Sequence, residues 1–339
     1  MPSDRFAEKT TLNIRNLAES SPAVRAMYFF DPEHEDVPAD TERDLLNEKV
    51  SSPLFGTVRK FSRRLLVLLS YTCAANCRYC ERQDRVGVGL DGLGRLSEDQ
   101  IDDVVRYVAD NPSISEVIAS GGDPLVHPKG LERLFTSLSE VEHVKVLRIH
   151  TRFPLQSPQQ VNRDLMRRVA GTKGVVYLSL HVDHPDELTS EVIDLIGDLR
   201  SYGYILISQS VFLKGVNDDV DVLERMFNKL FESGVRPYYI YHCQRIPTTA
   251  RFEMSLRDEV TIMSQLRERL SGLAYPQHVL DLPGARGKVV VPTHFWDFDL
   301  SQTRDFDGQT LSTDTWQVMS LMPNPRRTQE ASESGSYPA

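Results

Sequence analysis

Cysteine is scarce here, with four residues in a chain of 339, and three of the four fall within positions 73–80. Thiols so crowded cannot form a mutual disulfide framework without awkward geometry, which favours metal ligation in a reducing compartment. Excess positive charge is lacking: 39 Lys and Arg face 48 Asp and Glu, for a net charge of −9. That deficit argues against a broad basic surface for nucleic acid or anionic lipid and favours small-molecule chemistry. Long apolar runs are missing as well, the stretch at 65–69 being far too short to cross a bilayer. The first residues lack a basic segment followed by an apolar one, so no secretory signal is read there and a soluble, cytoplasmic protein is expected. No repeat of solenoid period occurs.

What is present is an alternation. Apolar, β-rich stretches at 64–71, 115–119, 144–150, 174–181, 204–211 and 236–243 are nearly continuous in hydrophobicity, as strands buried on both faces are. Each precedes a helical pattern. The clearest runs over 98–109, with Ile101, Val104, Val105 and Val108 on one face and Ser97 and Gln100 placed as a capping box. Another carries Val222, Leu223, Met226, Phe227 and Leu230. Six such units predict an α/β fold with parallel strands and right-handed crossovers, an open partial (β/α)6 barrel. Residues 1–60 are expected to form an N-terminal helical cap, 61–292 the barrel, and 293–339 a short C-terminal extension. Its last stretch, 324–339, has too few apolar residues to offset the entropy of ordering.

Cys73, Cys77 and Cys80 form a C-x3-C-x2-C loop directly after the first barrel strand. Parallel α/β proteins place their sites at the carboxyl ends of strands, where this loop emerges. Three thiolates can hold three irons of a [4Fe-4S] cube and leave the fourth open to a small molecule. A zinc site completed by a histidine, or three unrelated buried thiols, are the other readings of the same residues.

The motif and its position resemble the signature of radical S-adenosylmethionine enzymes. The likeness narrows at Gly121, Gly122 and Asp123, which resemble the glycine-rich segment that meets S-adenosylmethionine in lysine 2,3-aminomutase-like proteins. Segments at 148–152, 181–185, 209–218 and 236–239 resemble successive strand ends of that family, in order, over about residues 60–292. By that resemblance Arg152 and Gln209 join the cofactor-binding residues, with His181, Asp183 and His184 as secondary candidates for contact with cofactor or substrate. The segment 281–288 is similar to the acidic, glycine-rich loop whose last residue, here Lys288, carries pyridoxal 5′-phosphate. A lysine is the side chain able to form that bond.

The same resemblance implies that Arg82 binds a substrate carboxylate. It also implies that Asp281 meets the substrate side chain, beside Gln244 where lysine enzymes have a second aspartate. The run after the cysteines departs from the family pattern at Glu81, Gln83 and Asp84. Further cysteines for a zinc-linked tetramer are absent, which leaves a homodimer open, and Cys243 is expected as a small buried residue near the site. The implied activity is a 2,3-amino shift on a polar, basic amino acid, arginine or lysine, with flavodoxin or ferredoxin as electron donor. Deamination or another radical rearrangement of an amino acid or peptide-bound lysine, or a cluster-binding protein without turnover, are the alternatives.

Overall fold

A computed structural model describes residues 6–33, 35, 44, 46–87, 94–244 and 246–293, and the backbone at 302–304 and 310–312. Two helices open the chain, α1 (Leu12–Ser20) and α2 (Pro22–Tyr28), capped by the side chains of Thr11 and Ser21. An antiparallel hairpin follows, β1 (Thr57–Phe61) and β2 (Arg64–Ser70).

From β2 onward strand and helix alternate: α3 (Glu98–Ala109), β3 (Glu116–Gly121), α4 (Pro128–Ser139) and β4 (Val146–Thr151). A single turn, α5 (Phe153–Gln156), precedes α6 (Arg163–Ala170), β5 (Val175–His181), α7 (Ser190–Ser201) and β6 (Ile205–Val211). Then come α8 (Val220–Glu232), β7 (Arg236–Tyr241), α9 (Leu256–Arg269), β8 (Gln277–Leu282) and β9 (Gly287–Val290). Strands β2 to β8 pair in parallel and in sequence order, with β1 and β9 antiparallel at the two edges. The six expected βα units are therefore present, β2–α3 through β7–α9, and the fold is the α/β partial barrel read from the sequence.

Helix α3 has the boundaries and the Ser97–Gln100 capping box expected of it, and buries Ile101, Val104 and Val108. Helix α8 buries Leu223, Met226, Phe227 and Leu230. These faces meet the outer side of the sheet in one large core, where Leu65, Val67 and Leu69 of β2 pack with Val117 and Ala119 of β3.

Three strands of the nine-stranded sheet go beyond the six expected. β1 straddles position 60 and joins the sheet, β8 adds a seventh parallel strand, and the segment 281–288 is a hairpin rather than a loop. Asp281 is the penultimate residue of β8, Lys288 lies on β9, and the two are paired in register. Gly284 and Ala285 turn the chain with φ of 71° and 58°. The expected unstructured end at 324–339 lies outside the described residues.

A second, smaller core sits over the carboxyl ends of the strands. There Ile14, Val24, Met27 and Tyr28 of α1 and α2 pack on Ala75 and Tyr79 of the cysteine loop. Main-chain bonds stitch the same contact: Asn76 N donates to Lys9 O and Arg78 N to Met27 O, both at 2.8 Å.

Candidate active site

The sheet curls around a cavity of about 340 Å3 that Lys60 of β1 and Lys288 of β9 both line. Because side chains alternate along a strand, residues two apart share the inner face. Arg148 and His150 do so on β4, Ser179 and His181 on β5, Gln209 and Val211 on β6, and Tyr239 and Tyr241 on β7. Cys73, Cys77 and Cys80 close the cavity at the strand ends, and all three are free thiols.

Burial pushes the Cys80 thiol up to about 12, with the neighbouring Cys77 adding to it. Cys73 is likewise raised, by burial first and then by Asp123 and the two other thiols. Three mutually coupled soft donors in one loop are the donor set an iron–sulfur cube takes, and ligation deprotonates them outright. Among the described residues no three His, Cys, Asp or Glu side chains converge as the ligands of a single metal ion do.

The glycines at the end of β3 are there for contact with this loop. A Cβ at Gly121 would lie 2.2 Å from Ser70 O, and one at Gly122 would lie 2.4 Å from Thr72 O. Gly121 also has a φ of 123°, which side-chain-bearing residues rarely adopt. Gly122 N and Asp123 N donate to those same two carbonyls, so the end of β3 is locked to the entry of the cysteine loop.

Asp123 then reaches across to β4. Its carboxylate accepts from Leu125 N, Thr151 Oγ1, Arg152 N and Phe153 N at 2.8–3.0 Å, and burial raises its pKa to about 6. Arg152 is similarly committed, donating to Tyr28 Oη at 2.6 Å, to Asp183 Oδ2 at 2.5 Å and to Glu187. Both residues line the cavity, but their polar atoms serve to join the strand ends to α2 and to one another.

Of the secondary candidates, Asp183 is fully buried and receives Tyr79 Oη at 2.5 Å, while His181 Nε2 lies 3.3 Å from its carboxylate and faces the cavity. His184 caps a short turn by accepting from Asp186 N. Gln209 donates to Ser179 Oγ at 2.7 Å and accepts from Tyr241 Oη at 3.1 Å, so it stands at the centre of the inner polar row.

The remaining expected residues meet at the other side of the cavity. Gln244 Nε2 donates to Asp281 O at 3.0 Å, and Lys288 Nζ lies 2.5 Å from Asp281 Oδ2. Lys288 also stands 4.3 Å from the centre of the Tyr241 ring. Its side chain keeps 25% exposure, so the amine is accessible from the cavity. Arg82 points into the same space but is held by a two-point ion pair with Glu48, both contacts 2.8 Å. Cys243 is buried on the cavity wall and packs with the second core.

Several residues here escaped the sequence reading. Glu48 pairs with Arg82, and Glu187 shares Arg152 with Asp183. Lys60 and Arg64 bring two more cations to the wall, and burial lowers the pKa of Lys60. Glu48 and Lys60 fall in the segment read as a cap, Arg64 at the start of the first expected strand and Glu187 within the barrel, and as isolated charges none of them carries a period or motif. The cavity thus offers a lysine for a covalent cofactor and, in Lys60, Arg64, Arg82 and Arg148, an excess of cations suited to phosphate and carboxylate groups.

A radical SAM superfamily model matches residues 67–226. Curated relatives extend the likeness over more of the chain. An L-lysine 2,3-aminomutase of Buchnera aphidicola is 31% identical over 74% of this chain and 72% of its own length. That of Escherichia coli is 33% identical over 71% and 70%, and that of Clostridium subterminale 34% identical over 80% and 65%.

Proposed function

This chain belongs to the lysine 2,3-aminomutase family of radical S-adenosylmethionine enzymes, and we propose that it moves the α-amino group of lysine or arginine to the β carbon. Membership brings the family's cofactor set, a [4Fe-4S] cluster, S-adenosylmethionine and pyridoxal 5′-phosphate. The observation that carries the proposal is the convergence of the three cysteines, Lys288, Asp281 and Arg82 on one cavity.

In this reading Cys73, Cys77 and Cys80 hold the cluster. Gly121, Gly122, Asp123, Arg152 and Gln209 form the adjoining S-adenosylmethionine surface, with Asp123 and Arg152 fixing its shape and Gln209 presenting polar atoms. Lys288 carries pyridoxal phosphate, and Lys60 and Arg64 supply positive charge for its phosphate. Bound together, these groups supply a one-electron cleavage of a sulfonium, an organic radical that takes hydrogen from carbon, and a conjugated ring that eases an amino shift.

The chain itself orients and shields. Arg82 receives the substrate carboxylate, for which a guanidinium fork is well shaped. Asp281 and Gln244 receive the far end of the substrate side chain as one carboxylate and one amide. Tyr239 and Tyr241 wall the space around Lys288 and keep water from the reacting carbons. Among the described residues no helix is long and apolar enough to cross a membrane.

The deciding experiment is an anaerobic assay of reconstituted protein with lysine, arginine and other amino acids, reading 5′-deoxyadenosine and β-amino products together. The expected result is both products from a basic amino acid, and neither from a Cys77→Ala variant of unchanged circular dichroism. Absence of nitrogen migration from every amino acid tried would end the proposal.

A further inference from the structure

Gln156 ends α5 and is 1% exposed, yet all of its polar capacity is spent on the cysteine loop and its surroundings. Its Oε1 accepts from Ala75 N at 3.2 Å and its Nε2 donates to Ala75 O at 3.1 Å. One side-chain amide therefore satisfies both main-chain groups of the residue midway between Cys73 and Cys77.

This pairing also fixes which way the amide points, because a main-chain N–H can only donate and a carbonyl only accept. The second N–H of Nε2 faces Cys77 Sγ at 3.8 Å and Tyr28 Oη at 3.5 Å. Tyr28 Oη already takes a shorter hydrogen bond from Arg152 Nε at 2.6 Å. The sulfur is the acceptor with capacity to spare, and it becomes a stronger one as a thiolate.

We propose that Gln156 is a positioning residue for the iron–sulfur cluster, clamping the cysteine loop at Ala75 and donating a hydrogen bond to the Cys77 sulfur that raises the cluster's reduction potential. The proposal rests on the reading of Cys73, Cys77 and Cys80 as cluster ligands. Hydrogen bonds to ligating sulfur stabilise the added electron of the reduced cluster, and partners beyond the ligands orient them. The higher potential lets an external donor load the electron more readily and makes the reduced cluster a milder donor to the sulfonium, so the bond sets the balance between the two transfers.

The test compares wild type with Gln156→Met, which keeps the length of the side chain and removes its amide. Iron and sulfide content, the midpoint potential from a titration followed by electron paramagnetic resonance, and pulsed spectra of the reduced cluster are measured. The expected result is full cluster content, a more negative midpoint, and loss of one exchangeable deuteron coupling after exchange into heavy water. An unchanged midpoint and unchanged couplings at full cluster content would overturn the proposal.

Should Gln156→Met not assemble a cluster, wild-type protein grown with isotopically labelled glutamine side-chain nitrogen decides the matter. A nitrogen coupling to the cluster supports the bond, and its absence overturns it. A Cys77→Ala variant that retains a full cluster would instead overturn the ligand reading beneath it.

Discussion

Lys288 and Asp281 stand opposite each other on β9 and β8, and Nζ lies 2.5 Å from Oδ2. The amine proposed to carry pyridoxal phosphate and the carboxylate proposed to meet the substrate are thus each other's partner. In the proposed reading, engagement of Lys288 by the cofactor would free Asp281 for a cationic side chain. Asp281→Asn should keep pyridoxal on Lys288, seen as a yellow chromophore that borohydride fixes there, but lower kcat/KM for a basic amino acid about 10- to 100-fold. That loss is the size of one hydrogen bond to a charged group, about 1.5–3 kcal/mol. Gln244→Asp should shift preference toward lysine by adding a second carboxylate, checked by kcat/KM for lysine and arginine. Unchanged rate and specificity in Asp281→Asn would remove Asp281 from the substrate site.

Arg152 gives a prediction about stability. Its guanidinium lies between the buried carboxylates of Asp183 and Glu187, with the Tyr28 hydroxyl as a third partner. Arg152→Gln should cost about 3–5 kcal/mol, the usual penalty for leaving buried charge without its counterpart. A shift of the urea midpoint to lower concentration, at an unchanged slope, is the expected readout. A midpoint equal to wild type would show that the network contributes nothing.

The pair of Glu48 and Arg82 predicts a pH dependence. Burial alone would raise the Glu48 carboxyl, but the Arg82 charge and hydrogen bonds, with Lys60 and Arg85 behind them, outweigh it and hold the pKa at about 2. A folded-state pKa below the ordinary value means the pair stabilises fully above about pH 4.5, and the contribution fades as pH falls toward 2. Wild type should therefore exceed Glu48→Gln in unfolding free energy at pH 6, and the gap should narrow through pH 4 to 3. A gap constant with pH would contradict the assignment.

The barrel was legible because its signals are local and periodic. β2 carries Leu65, Val67 and Leu69 for the outer core and Leu66 and Leu68 inward, and the Ser97 cap marks the start of α3 within a residue. The cysteine loop was legible from spacing, and Lys288, Asp281 and Gln244 from likeness to a family. Their mutual contact was not, because a turn at 283–286 with two positive φ angles reads equally well as a loop. Residues whose role lies in a partner far along the chain were the hardest. Gln156 meets Ala75 across 81 positions, and Arg152 meets Tyr28 across 124. Nothing in the sequence near either residue announces such a meeting, since only the completed sheet brings them together.

The strap formed by α1 and α2 over the cysteine loop bears on the order in which the molecule assembles. The ladder from β2 to β8 grows between neighbours in sequence, each new strand closing a short excursion through one or two helices. The strap instead joins residues near the start of the chain to the ends of several strands, with Thr11 Oγ1 on Gln156 O and Asn13 Nδ2 on Leu155 O. Those contacts form only once β4 and α5 are in place, and their long sequence separation adds to the entropy of closure. That separation predicts that the three cysteines reach their final arrangement late, under a lid that threads back from the beginning of the chain. If they hold the cluster as proposed, iron delivered before that moment would meet a pliable loop, and iron delivered after it a finished mould.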